Sequence, residues 1–197
     1  NITGITYQYI KDFFVCQYRG KMPIKYKGEA DMYFVKGIVP ELSVDGTGIE
    51  PNHDFLVRLQ QMRFGDLEEF VLSRMRTELS ETLLYHNIEH TMDVLTRAEV
   101  LGRGEGISEG DLLLVKTAAL LHDCGFLIGY NQHEDNSIVV SRDLLPKYKY
   151  SEEQIETVVA LIDVTRVHRE PVTLMEQIIK DADLDYLGRA DYIVLAN

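Results

Sequence analysis

The sequence predicts a mainly α-helical protein: an all-helical bundle preceded by a small β-hairpin. Three observations carry this. From about residue 52 onward the apolar residues recur every three or four positions, residues 13–18 and 31–36 are instead aromatic and β-branched, and a Pro- and Gly-rich stretch separates the two regimes.

The first segment reads FFVCQY, then a stretch holding Gly20, Pro23 and Gly28, then DMYFVK, which is strand, turn, strand. A lone hairpin is marginal in water, so this piece is expected to belong to something larger. Residues 37–51 hold two prolines and three glycines with no sustained period, and 38–51 are expected to form a linker. The helical rhythm then begins with Phe55, Leu59 and Met62 and continues through Leu67, Phe70, Val71, Met75 and Leu79. Further helices are expected over roughly 83–102, 109–123, 133–145, 151–165 and 172–181. Ser108 before Glu109 and Asp111, and Ser151 before Glu152 and Glu153, are N-cap signals with acids placed for the helix dipole.

Composition excludes several classes. The 197 residues carry a formal net charge of −12, which argues against a nucleic-acid partner, because phosphate-backbone affinity needs clustered Lys and Arg. Charge is uneven: residues 1–36 hold six bases (Lys11, Arg19, Lys21, Lys25, Lys27, Lys36) against three acids (Asp12, Glu29, Asp31), the mark of two modules of different history. No long apolar run or signal-peptide pattern appears, so no membrane contact is expected and the fragment is read as soluble and cytoplasmic. Cys16 and Cys124 stand far apart in dissimilar contexts and are read as reduced thiols. The chain starts at Asn1 and is expected to be a piece of a longer polypeptide.

Chemistry concentrates in three stretches. In YHNIEHTMDV, His86 and His90 are four residues apart, which on a helix puts both imidazoles on one face. In AALLHDCGF, an apolar helix delivers His122 and Asp123 to the edge of the core, where buried polar groups need partners that a metal ion supplies. In KDADLDYLG, one of Asp181, Asp183 and Asp185 can point inward, and the spacing of the acids does not decide which. Imidazole and carboxylate are the ligand set of a divalent cation on a hydrolase. The bland alternative is a buried polar network without an ion, with His53, His168, Asp181, Asp185 and Cys124 as surface or packing residues.

On these motifs, residues from about 70 to 197 resemble the HD superfamily of metal-dependent phosphohydrolases, an all-helical scaffold with a histidine, a later His-Asp pair and a distant aspartate. The resemblance implies His90, His122, Asp123 and Asp183 as metal ligands, with Asp183 chosen because Ala182, Asp183 and Leu184 match the family's ADL-type motif. It implies a catalytic set of His86, Asp123 and His133: His86 sits where the cyclic-nucleotide phosphodiesterase branch has the histidine that protonates the leaving oxygen. The implied cofactor is a divalent ion (Mn, Mg, Fe, Ni, Zn or Co), one or two of them. The chain departs from the animal-type phosphodiesterases in having CGFLIGYNQ where they place a histidine soon after the His-Asp pair; His133, beside Glu134, is the candidate replacement. Lys116, Arg142, Lys147 and Arg166 are candidate phosphate contacts, each equally explained as a solvated helix charge.

Residues 1–35 resemble the last strands of the class III adenylate and guanylate cyclase domain, through Asn1, Thr6, Tyr7, Arg19, Gly20, Lys27, Gly28, Tyr33, Phe34 and Val35. The expected organisation is therefore a cyclase remnant over 1–37, a linker over 38–51, and an HD-type domain over 52–197. The expected function is metal-dependent hydrolysis of a nucleotide phosphoester, cyclic diester or monoester, by metal-activated water. The alternative is a nucleotide-sensing or dimerisation module for the attached cyclase; a homodimer is a candidate partner state, and the oligomeric state stays open.

Overall fold

A computed structural model describes residues 1–25, 28–80, 83 and 86–185. Lys27, Tyr85 and the stretch 186–197 of the expected helical domain lie outside the described residues. The chain divides into two compact units, residues 1–59 and 60–197.

The first unit is a three-stranded antiparallel sheet with one short helix. Strand β1 (Ile2–Thr3) leads into α1 (Gly4–Ile10), then β2 (Phe14–Ile24) and β3 (Gly28–Ile38), in sheet order β1-β3-β2. The expected hairpin is thus present, and β1 adds a third, two-residue strand to it. Thr3 caps α1, its hydroxyl accepting from the Thr6 amide. Tyr7 stacks on Tyr33 with ring centroids 4.1 Å apart. The unit's small core is Phe13, Ile38 and Leu42, with Phe55 edge-on to Phe13 at 5.1 Å. Residues 38–51 pass through two 3-10 turns, Pro40–Leu42 and Val44–Gly46, and Leu42 is buried.

Among the described residues six helices follow: α2 (His53–Glu78), α3 (Ile88–Gly104), α4 (Glu109–Leu121), α5 (His133–Leu144), α6 (Glu152–Val164) and α7 (Leu174–Leu184). Within the second unit α4 is the central helix, contacting α3, α6 and α7. Its sequence explains why: Leu112–Val115 and Thr117–Leu121 are all buried, and a helix apolar on every side must be covered on every side. Thr117, the polar exception, is satisfied by the Leu113 carbonyl at 2.7 Å and the Tyr150 hydroxyl at 2.8 Å.

The core stripe of α2 is Phe64, Leu67, Val71, Leu72 and Met75, whereas Met62 and Phe70, expected in the stripe, face solvent. Helix starts follow their caps. Ser108 accepts from the Asp111 amide, Ser151 forms a capping box with Gln154, and Thr173 forms one with Glu176. Helix α3 begins at Ile88 rather than near 83, because the Asn87 side chain accepts from the Glu89 and His90 amides and so ends the chain's extended approach there. Among the described residues no helix is long and apolar enough to cross a membrane.

Candidate metal centre

Three elements of the second unit converge on one point. His90 lies in the first turn of α3, His122 is the C-cap residue of α4 with Asp123 directly after it, and Asp183 lies in the last turn of α7. Placement of Asp183 follows from the apolar stripe of α7. Ile178, Ile179 and Ala182 are buried, and position 183 lies one turn beyond Ile179 on that face, while Asp181 falls on the opposite, exposed side. Asp185 departs from the expectation of a solvated acid: it pairs with Arg97 of α3 at 2.9 Å.

The donor atoms nearly touch. His90 Nε2 is 3.3 Å from His122 Nε2, 3.6 Å from Asp123 Oδ2 and 3.2 Å from Asp183 Oδ1. His122 Nε2 is 3.2 Å from Asp123 Oδ2 and 3.5 Å from Asp183 Oδ1. Around an ion with bonds of about 2.1 Å, neighbouring ligand atoms lie about 3.0 Å apart in octahedral and about 3.4 Å apart in tetrahedral geometry. All five separations fall in or close to that range, so the donor set fits a divalent cation. Two overlapping groups could hold one, His90 with His122 and Asp183, and His86 with His90 and Asp123.

The His122 ring is oriented by its own helix. Nδ1 lies 2.8 Å from the Ala119 carbonyl, which can only accept, so that nitrogen carries the hydrogen and Nε2 is left facing the carboxylates. Burial disfavours a charged His122, but Asp123 and Asp183 outweigh it and hold the imidazole well above its ordinary range. Burial likewise pushes both carboxyls up; His122 and His86 reverse this for Asp123, which is held well below the carboxylate range. His122 and His90 do the same for Asp183, lowering it to about 2.

A second set of side chains surrounds Asp123. His86 Nδ1 bonds Asp123 Oδ2 at 2.9 Å, and His133 Nε2 lies 3.7 Å from Asp123 Oδ1. His86 precedes the cap of α3, so it does not share a helix face with His90 as the spacing suggested; the two rings meet at 5.7 Å by the path of the chain before the helix. His86, His133 and Phe126 form a triangle of rings, with Phe126 4.7 Å from His86 and 4.2 Å from His133.

Several residues that shape the site were not singled out from sequence. Phe126 sits in the 3-10 turn Cys124–Leu127. Ser137 is fully buried, donates to the His122 carbonyl at 2.6 Å and accepts from the Gly125 amide at 2.8 Å, joining α5 to the end of α4. Ser137 stands one turn after His133, and that shared face is its only sequence signal. Gly125 is required by close approach: a Cβ there would lie 1.9 Å from the His133 carbonyl oxygen.

The candidate phosphate contacts are all engaged with carboxylates. Lys116 pairs with Glu99 at 2.6 Å, Lys147 with Asp143 at 2.7 Å, and Arg142 with Glu156. Arg166 meets Asp163 at 2.8 Å and Asp135 at 2.6 Å. His53 and His168 are exposed. Cys124 is buried beside the site with its thiol pushed up to about 12 by desolvation, which makes it a packing residue, and Cys16 is also a free thiol.

A helical unit in which imidazoles and aspartates from three separate stretches share one ion-sized point is an HD domain, and the chain belongs to that family: the HD domain model matches residues 87–185, half of the chain. A protein of Clostridium beijerinckii, described only as uncharacterized, is 33% identical over 76 residues, 37% of this chain and 48% of that protein. The match thus spans about half the length of that relative. The crystal structure of a predicted HD superfamily hydrolase from an uncultured Thermotogales bacterium is similar over 68% of each chain, at 24% identity and a TM-score of 0.44. At the level of the superfamily, membership supports a metal-dependent hydrolase.

Proposed function

We propose that this chain is a metal-dependent phosphohydrolase that acts on a nucleotide phosphoester, either a cyclic phosphodiester or a nucleotide monoester. His90, His122, Asp123 and Asp183 would hold the ion. The observation that carries the reading is the set of five separations of 3.2–3.6 Å among their donor atoms. When bound, a divalent cation supplies Lewis acidity and makes a water molecule a nucleophile at neutral pH.

The remaining steps fall to the protein. Asp123 orients the His86 ring through Nδ1, and the His86 side chain, 34% exposed, is the most accessible imidazole around that carboxylate. His86 therefore delivers the proton to the departing oxygen. His133, with 23% of its side chain exposed, stands on the other oxygen of Asp123 and completes the catalytic set. His90 and His122 are almost wholly buried and hold geometry rather than move protons to substrate. The nucleotide preference rests on the likeness of residues 1–35 to the end of a class III cyclase domain, with 38–51 as the connection and 52–197 as the HD-type domain; a synthetic module beside a hydrolase argues for a related phosphoester.

Asp123→Ala is expected to lose both metal and turnover. Elemental analysis and a screen of manganese-, magnesium- or nickel-loaded protein against cyclic and non-cyclic nucleotides test this, and stoichiometric metal in the variant would overturn the ligand assignment. Tight nucleotide binding without turnover by the parent protein would favour a sensing role for the same site.

A further inference from the structure

Arg166 is the basic side chain closest in character to a phosphate ligand, yet its contacts give it another task. The side chain is only 16% exposed and is shared among three carboxylates: Asp163 at the end of α6 at 2.8 Å, Asp135 at 2.6 Å and Glu134 at 3.7 Å. Asp135 and Glu134 belong to the first turn of α5, the turn that His133 opens. Glu134 Oε2 in turn lies 3.5 Å from His133 Nδ1, while Nε2 of the same ring faces Asp123. Arg166 Nε and one terminal nitrogen already donate to Asp163 and Asp135, and its charge is balanced by three carboxylates, so its contacts tie it to the start of α5.

The same turn is gripped from the opposite side. Gly125 packs so closely on it that a Cβ would strike the His133 carbonyl oxygen, the Ser137 amide and the Asn136 side chain, at 1.9, 2.6 and 2.8 Å. The turn also begins without a side-chain cap, from Gln132 in the left-handed region at φ 56°. An uncapped helix start with a strained residue before it holds one geometry only when surrounding contacts impose it. Gly125 supplies one such contact and Arg166 the other. The segment carrying Arg166 is itself fixed, because Lys180 of α7 donates to the carbonyls of Val164, Arg166 and Arg169 at 3.0, 2.7 and 2.5 Å.

We propose that Arg166 and Glu134 are positioning residues that fix the His133 imidazole over Asp123, which makes the connection between α6 and α7 part of the functional site. The assignment of a catalytic role to His133 rests on the phosphohydrolase reading above; the positioning itself does not. The experiment is imidazole NMR of the metal-free chain, whose six histidines can be assigned by single substitutions. Arg166→Met is expected to shift and broaden the His133 ring signals, to leave His53 unmoved, and to be partly restored in Arg166→Lys. Glu134→Gln, which keeps shape and removes charge, is expected to move the same signals in a fold unaffected by loss of the arginine. Unchanged His133 signals in both variants would overturn the proposal, since a merely stabilising arginine would lower the melting temperature without touching that ring. Where the parent protein turns over a phosphoester, Arg166→Met is expected to lower kcat about 10-fold with KM little changed. A parent protein with no turnover would sink the phosphohydrolase reading and leave the NMR result to decide this one.

Discussion

His122 is engaged by its own helix through Nδ1 before any ion arrives, and by two carboxylates through Nε2. In the metal-free chain a proton on Nε2 holds those carboxylates together, which is why the imidazole sits well above its ordinary range. The sign follows. A raised imidazole pKa contributes stability that is fully present below about pH 6.5 and is lost as pH rises through the folded value. A metal ion must displace that proton, so loading near neutral pH is expected to release a proton, and affinity is expected to rise with pH. Isothermal titration in buffers of different ionisation enthalpy measures the release; none would mean that His122 is not a ligand. Gly125→Ala is expected to push the first turn of α5 away from Asp123, because the methyl group meets backbone rather than a flexible side chain. A circular-dichroism melt lowered together with metal affinity would register it. At this scale the candidate ligands were legible, since histidine and aspartate on apolar helices cannot be buried without partners. Phe126, Ser137 and Gly125 were not, because ring stacking, a buried hydroxyl bridge and a close backbone approach depend on what lies across the fold.

Elements place these residues. Asn87 starts α3, and in doing so sets His90 in the first turn while leaving His86 outside the helix. Asn87→Ala is expected to cost about 1 kcal/mol in a urea titration and to weaken metal binding, since the same cap receives the His90 amide. The centre of the bundle is less forgiving: Leu120→Ala in α4, at a fully buried position, is expected to cost about 2–5 kcal/mol. Helix caps and the largely apolar character of α4 were readable because each is a local property. The start of α3 was misread from spacing alone. A four-residue interval says that two histidines would share a face if a helix covered both, and Asn87 decides that it does not. The stripe of α2 was shifted in the same way, with Phe64 inside and Phe70 outside, since periodicity gives a rhythm and only packing gives its phase.

For the whole molecule, the four proposed ligands come from α3, the end of α4 and α7, so an ion held there would tie these helices together and its binding energy would become folding energy. Metal at about 100 times its dissociation constant is expected to stabilise the chain by about 2.7 kcal/mol, read as a raised melting temperature that a chelator reverses. An unchanged melting temperature at saturating metal would contradict this. The sequence by itself determined the helical class, most helix limits and which histidines and aspartates are candidate ligands, because periodicity, capping and the cost of burying charge act over a few residues. Tertiary structure alone decided how closely the candidate donor atoms approach one another, how His86 reaches Asp123 and which carboxylates Arg166 pairs with. Each of those depends on a distance between segments that no local preference encodes, and the ion site exists only where those distances shrink to the span of one coordination sphere.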